Sequence, residues 1–267
     1  MKSSRIIIIC AVVLSAVSCS KVPVTGRKQL NLVPESQVEA MSLAAYKEFL
    51  STNPPAMNTP AAQTVKNVGA RIAAAVGTYL AQQNQSDRVA GYNWEFNLVE
   101  NKEVNAWCMA GGKVVVYTGI LPITQDEAGL AVVMGHEIAH AIARHGNERM
   151  SQGLAVQLGG VALDVALSSK PQETRALFAS AYGLGSNLGV ILPFSRTHES
   201  EADKMGLIFM AIAGYDPNAA IAFWQRMAAQ GSGGGPPEFL STHPSDQTRI
   251  NDLKAYMPTA MTYYKKK

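Results

Sequence analysis

His136, Glu137 and His140 stand in the order HExxH. At about 100° per residue the two histidines fall one turn apart on the same helix face. Both imidazoles can then reach one Zn²⁺. Glu137, beside the first of them, can take a proton from an attacking water and hand it to a leaving amine, the chemistry of metal-assisted hydrolysis. The flanks suit a buried helix, with Leu130 to Met134 before the motif and Ile138, Ala141 and Ile142 around it. A buried helix seldom carries unpaired His and Glu, so these polar residues need a shared purpose.

A zinc site of this kind takes a third protein ligand. The metzincin arrangement requires glycine at position 143 and histidine at position 146, where this chain has Ala143 and Gly146, and His145 is out of phase by one residue. The remaining source is the run His198, Glu199, Ser200, Glu201, Ala202, Asp203. Glu199 and Asp203 are related as i and i+4 and share a helix face, whereas Glu201 points about 200° away from Glu199. We assign Glu199 as the third ligand and Asp203 as the carboxylate that orients a ligating histidine. Glu201 competes for the ligand role if the helix begins one residue late.

His243 precedes Pro244 and follows a glycine- and proline-rich loop over Gln230 to Pro237. A flexible segment there can bring an imidazole over the metal as a lid, a blocking ligand or an oxyanion stabiliser. Arg249 has two readings, a guanidinium that stabilises a tetrahedral intermediate or an ordinary salt bridge. His145 and His198 lack the phase for the same metal and read as packing or hydrogen-bonded residues.

The elements that must position these groups follow from periodicity. Glu35 to Leu50 and Ala61 to Gln82 read as helices, separated by Asn53, Pro54, Pro55 and Pro60. Tyr92 to Val99 and Lys113 to Thr118 read as two strands of a small sheet. Asp126 to Arg149 reads as one long helix capped by Thr124 or Asp126, with the HExxH motif in its middle. Gly153 to Leu192 is rich in Ala, Gly, Leu and Val and breaks at Ser168 to Pro171; Asp164 and Arg175 favour packed helices over a membrane hairpin. Thr197 to Ala213 and Pro217 to Ala229 read as two further helices. The expected fold class is mainly α with a small β-sheet, an α+β arrangement.

The first 18 residues read as a signal peptide, with Lys2 and Arg5 before the apolar run Ile6 to Val13. Small residues lead into Cys19, which resembles a lipobox; Cys19 is then the first mature residue and carries the lipid that anchors the chain to a membrane, the alternative being an ordinary signal peptide cut nearby with Cys19 a free thiol. Cys10 lies in the removed segment and Cys19 bears lipid, so Cys108 is left without a disulfide partner and reads as a packed small hydrophobe. The whole chain carries +3, and losing Lys2 and Arg5 leaves the mature chain at about +1, which argues against nucleic-acid binding. The expected organisation is a signal peptide over residues 1–18, a tether over 19–34, one catalytic domain over 35–260 and a basic tail over 261–267 ending in Lys265, Lys266 and Lys267.

The stretches VTGRKQL (Val24 to Leu30), NAW (Asn105 to Trp107), GGKVVVYTGIL (Gly111 to Leu121), GHEIAHAIARHG (Gly135 to Gly146), SRTHESEADKMG (Ser195 to Gly206) and THPSDQTRI (Thr242 to Ile250) occur in this order. Together they resemble a family of zinc metallopeptidases. It includes the HtpX membrane proteases, the CaaX prenyl proteases, the mitochondrial Oma-type proteases and bacterial envelope lipoproteins such as BepA and LoiP. The resemblance implies a zincin-like domain binding one Zn²⁺ through His136, His140 and Glu199, with Asp203 behind them. Ala110 departs from the proline common before the two glycines and touches no proposed ligand. Resemblance to the envelope members implies proteolytic quality control of misfolded or misassembled envelope proteins, facing the periplasm from the outer membrane. An assembly factor or chaperone with latent, lid-regulated activity is the alternative. In such folds an edge strand pairs with extended substrate, and Lys113 to Thr118 has two readings, that role or simply a strand of the core sheet. Mass spectrometry of the purified protein should find zinc lost in Glu199→Gln and kept in Glu201→Gln.

Overall fold

The computed structural model describes residues 19–168, 172, 176, 180, 192–230, 239–240, 243 and 247–265, and the side chains of these apart from residues 19 and 192–195. In chain order its elements are β1 (Cys19–Lys21), β2 (Lys28–Leu30), α1 (Glu35–Thr52), α2 (Pro60–Gln82), β3 (Glu95–Val99), β4 (Ala106–Met109), β5 (Lys113–Tyr117), the single turn α3 (Leu121–Thr124), α4 (Glu127–Ile142), α5 (His145–Ala166), α6 (Leu192–Ile212), α7 (Ala219–Gln230) and α8 (Gln247–Met261). The fold is mainly helical with small sheets, as expected. Among the described residues no helix is long and apolar enough to cross a membrane. Two compact units are distinguished, Met1–Gln37 with Arg144–His198, and Val38–Ala143 with Glu199–Lys267.

In the second unit, β5 lies between β3, to which it is parallel, and β4, to which it is antiparallel, with Val99 opposite Tyr117 and Ala106 opposite Val116. The expected role of Lys113 to Thr118 as an edge strand is therefore corrected: both sides of β5 are already paired, and among the described residues β3 and β4 are the two edge strands of this sheet. All five β5 residues are buried, as a β-branched run flanked on both sides should be. Tyr46, Val99, Val115 and Tyr117 form a core cluster, with Phe49 and Trp107 packed edge-to-face at 5.1 Å. Helix α2 starts where Thr59 accepts a hydrogen bond from Ala62 N and Pro60 sits in the first turn, a favourable start for a helix. Its apolar face, including Val65, Val68, Ile72 and Val76, is buried.

Helix α4 begins at the Asp126 cap, whose side chain accepts from Gly129 N at 2.8 Å. It does not run to Arg149 as the periodicity suggested. Arg144 takes φ 60°, in the left-handed region, and a new helix starts at His145. Periodicity misses the break because helical residues resume at once.

In the first unit the stretch expected to be a tether carries structure. β1 and β2 pair antiparallel, with Cys19 opposite Leu30, and Val22 is buried. Arg27 donates to both carboxylate oxygens of Glu148 at 2.7 Å, and Gln29 and His198 each reach Glu148 Oε2, at 3.2 and 3.0 Å. His198 also stacks on the buried His145 at 4.2 Å, so His145 is packed and His198 is packed and hydrogen-bonded. Of the span Gly153 to Leu192, residues 153–167 are described as helix or turn and are largely exposed, which corrects the expectation of packed helices there. Most of the remainder, like the loop from Gly231 to Pro237, lies outside the described residues.

Burial works to raise the Glu148 pKa, but hydrogen bonds from Arg27 and His198 prevail and hold it at about 2 rather than the ordinary 4.5. An acid whose pKa falls on folding stabilises the protein above its unfolded pKa, and that contribution is lost as pH drops through the folded value. Glu148→Gln should therefore lower stability near neutral pH by about 3 kcal/mol. The deficit should shrink between pH 4.5 and about 2, a trend that thermal melts of wild type and variant at matched pH will follow.

Candidate metal centre

Helices α4 and α6 approach closely where Gly135 meets Gly206. A Cβ on Gly206 would lie 3.0 Å from His136 N and 3.1 Å from Gly135 C, while one on Gly135 would lie 3.1 Å from Gly206 O. Backbones this close bring residues one turn from the contact within hydrogen-bonding reach. His136 Nδ1 lies 2.9 Å from Asp203 Oδ1. Donating its proton there leaves the Nε2 lone pair for a metal.

The donor atoms of His136, His140, Glu199 and His243 all lie within 4.8 Å of one another. His136 Nε2 is 3.1 Å from His140 Nε2, and Glu199 oxygens lie 3.3 Å from each of those nitrogens. His243 Nδ1 is 3.1 Å from His136 Nε2 and 2.9 Å from Glu199 Oε2. Ligands at about 2.0–2.1 Å on a tetrahedron are separated from one another by roughly 3.3 Å. The observed separations and the N₃O donor set therefore fit a tetrahedral Zn²⁺. Glu199, and not Glu201, is the glutamate gathered into this group, although Glu201 is buried as well.

Glu137 is buried, and its Oε1 makes no hydrogen bond; His243 Nε2 stands 3.5 Å from it. Burial raises its pKa to about 7, aided by the Glu199 charge and opposed by His243 and Arg249. Burial also penalises the Glu199 carboxylate, yet bonds from His136, His140 and His243 hold it well below the usual carboxylate range. The His136 pKa is raised: burial alone would lower it, and Asp203 and Glu199 outweigh that effect.

Arg249 lies behind the donor cluster. Its Nε and Nη2 donate to the two oxygens of Asp203 at 2.8 and 2.6 Å, and its guanidinium lies 3.4 Å over the Trp224 ring. Nη1 is 3.3 Å from Glu199 Oε2. This commitment to Asp203 favours the salt-bridge reading of Arg249 over the oxyanion one. Trp224 is a residue that sequence reasoning missed; it is fully buried, with its ring 5.6 Å from His136 and 5.8 Å from Phe239. An aromatic on an amphipathic helix looks like any core residue until the Arg249 and His136 contacts are seen. Strand β4 was missed too, being too short for alternation to register, and it packs against α4.

A family model, peptidase family M48, matches residues 63–257. The chain belongs to peptidase family M48. Zinc is the metal of this family's metalloproteases, in keeping with the donor set. The chain is 36% identical over 243 residues to the mitochondrial metalloendopeptidase OMA1 of Schizosaccharomyces pombe, covering 90% of this chain and 66% of that protein. It is 31% identical over 247 residues to the mitochondrial metalloendopeptidase OMA1 of Homo sapiens, covering 90% and 46%. A beta-barrel assembly-enhancing protease of Yersinia pestis is 32% identical over 169 residues, 60% of this chain and 34% of that protein. The chain thus spans between a third and two thirds of the length of these relatives.

The M48 centre depends on the α4/α6 contact. Gly206→Val should force the two backbones apart and weaken zinc affinity about 10–100-fold, measured by competition with a chromophoric chelator, with far-UV circular dichroism near that of wild type.

Proposed function

We propose that the protein is a zinc metalloendopeptidase in which His136, His140 and Glu199 hold the metal, Asp203 orients His136, and Arg249 fixes Asp203. The observation that carries this reading is the donor cluster of two HExxH histidines and Glu199 at tetrahedral spacing, with the Glu137 Oε1 that makes no hydrogen bond beside it. The chemistry the metal supplies when bound is polarisation of a carbonyl and acidification of water to a pKa of roughly 7. Glu137 accepts a proton from the attacking water and passes it to the leaving amine; its raised pKa suits both steps near neutral pH. Of the two edge strands, β4 is the one packed on α4, and its outer side, unpaired among the described residues, suits an extended peptide.

His243 supports a latent enzyme. Its Nδ1 stands as a fourth donor where a hydrolytic zinc centre keeps an open position for water. Catalysis then requires the segment bearing His243 to withdraw, so that activity follows engagement of a substrate or partner. This links the protease reading to the assembly-factor alternative, in which client binding is frequent and cleavage occasional. Likeness to a beta-barrel assembly-enhancing protease supports an envelope location and clients among misfolded or misassembled envelope proteins. The lipobox supports a lipid anchor at Cys19 and a place in the periplasm at the outer membrane. The substrates in this reading are proteins or peptides, not nucleic acid.

Cleavage of unfolded casein tests the proposal. Glu137→Gln should reduce it at least about 10³-fold with zinc content unchanged, and His243→Ala should raise the rate. Retained cleavage in Glu137→Gln, or a purified wild type that binds no zinc, would overturn the reading.

A further inference from the structure

Helix α5 has two dissimilar halves. Its first turns are buried through His145, Asn147, Glu148, Ser151 and Gln152. They hold the N-terminal hairpin: Glu148 takes the two Arg27 bonds, Ser151 Oγ accepts from Leu32 N at 2.8 Å, and Asn147 Nδ2 donates to Val33 O at 2.8 Å. Beyond Gln152 the helix carries a bare apolar face. Leu154, Leu158, Val161 and Val165 are 42%, 66%, 58% and 67% exposed. At about 100° per residue they fall within roughly 60° of one another around the axis. Asp164 is the one charged residue between Gly153 and Leu167. A surface helix ordinarily turns its polar face outward, and scattered exposed apolar residues need no explanation; a contiguous outward stripe of four does.

We propose that this stripe docks on a lipid bilayer, lying in the interface and not crossing it. Residues 153–167 extend roughly 22 Å as helix, too short to cross a hydrocarbon core of about 30 Å, so an apolar face on it would lie along the surface. The choice of lipid over protein comes from Cys19. That residue opens β1, β1 pairs with β2, and the chain running through and just past β2 is hydrogen-bonded to the first turns of α5. An acyl chain on Cys19 and the stripe therefore belong to one compact unit. A lipid on Cys19 brings this unit to the bilayer surface, where a second apolar element on the same body adds to the attachment. The inference rests on the lipidation reading for this choice of occupant.

The test uses the mature chain from residue 19 in two forms, acylated and purified from membranes, or carrying Cys19→Ser and produced without residues 1–18. Each form is made with and without Leu158→Gln/Val165→Gln. Melting temperature and zinc content should be unchanged by the double substitution, because both side chains face solvent. Flotation with neutral phosphatidylcholine vesicles should recover the Cys19→Ser chain with the vesicles, and the double substitution should cut its partition constant about tenfold. No flotation of the Cys19→Ser chain, or flotation indifferent to the double substitution, overturns the proposal. In that event, light scattering that finds a dimer abolished by the double substitution assigns the stripe to a second copy. Mass spectrometry of Cys19 in the membrane-purified form judges lipidation separately: an acyl group present with a stripe that does not bind leaves the anchor standing, and an absent acyl group with a stripe that binds leaves the docking helix standing.

Discussion

Asp203 carries the polar architecture of the centre. Its two oxygens take the Nδ1 of His136 on one side and the Nε and Nη2 of Arg249 on the other. A carboxylate buried this deeply is costly to ionise, and the paired guanidinium opposes that cost, so that the Asp203 pKa is lowered despite burial. Once charged, it fixes the His136 tautomer. Glu199, one turn earlier on the same helix, then faces the other side of the imidazole. Three elements from distant parts of the sequence, α4, α6 and α8, are held in register by this one group.

The close approach of Gly135 and Gly206 makes that register possible, because any larger side chain would hold the helices apart. Around the contact, Trp224 and Phe239 wall off the imidazole and the guanidinium with stacked rings. Low polarity strengthens each charge interaction inside. The same burial raises the Glu137 pKa to about 7. Holding the metal and tuning the base therefore draw on one physical source, the exclusion of water from the α4/α6 crossing.

The first unit shows a different use of buried charge. Glu148 gathers Arg27, Gln29 and His198, joining the N-terminal hairpin to a helix far along the chain. The segment looks like a polar tether because Pro23, Gly26 and Pro34 interrupt any periodicity. It is ordered because those polar groups satisfy one another. Past this clamp the same helix turns apolar and exposed, so polarity along α5 runs opposite to what a water-facing helix requires.

Much of the chemistry was legible in the sequence. HExxH spacing places two imidazoles on one face whatever surrounds them, and the i, i+4 relation of Glu199 and Asp203 does the same for the carboxylates, because helix geometry is local. Apolar flanks marked α4 as buried, and proline and glycine marked most helix ends. The tertiary structure alone decided what those residues meet. No spacing rule pairs Asp203 with Arg249, seats Trp224 beneath a guanidinium, or brings His243 Nδ1 to 2.9 Å from Glu199. Nor could periodicity choose the edge strand, since a β-branched run reads alike in the middle of a sheet or at its border, and strand order depends on hydrogen bonds between segments distant in sequence. Local geometry is written in neighbouring residues; partners across the fold are set by packing, which involves the whole chain at once.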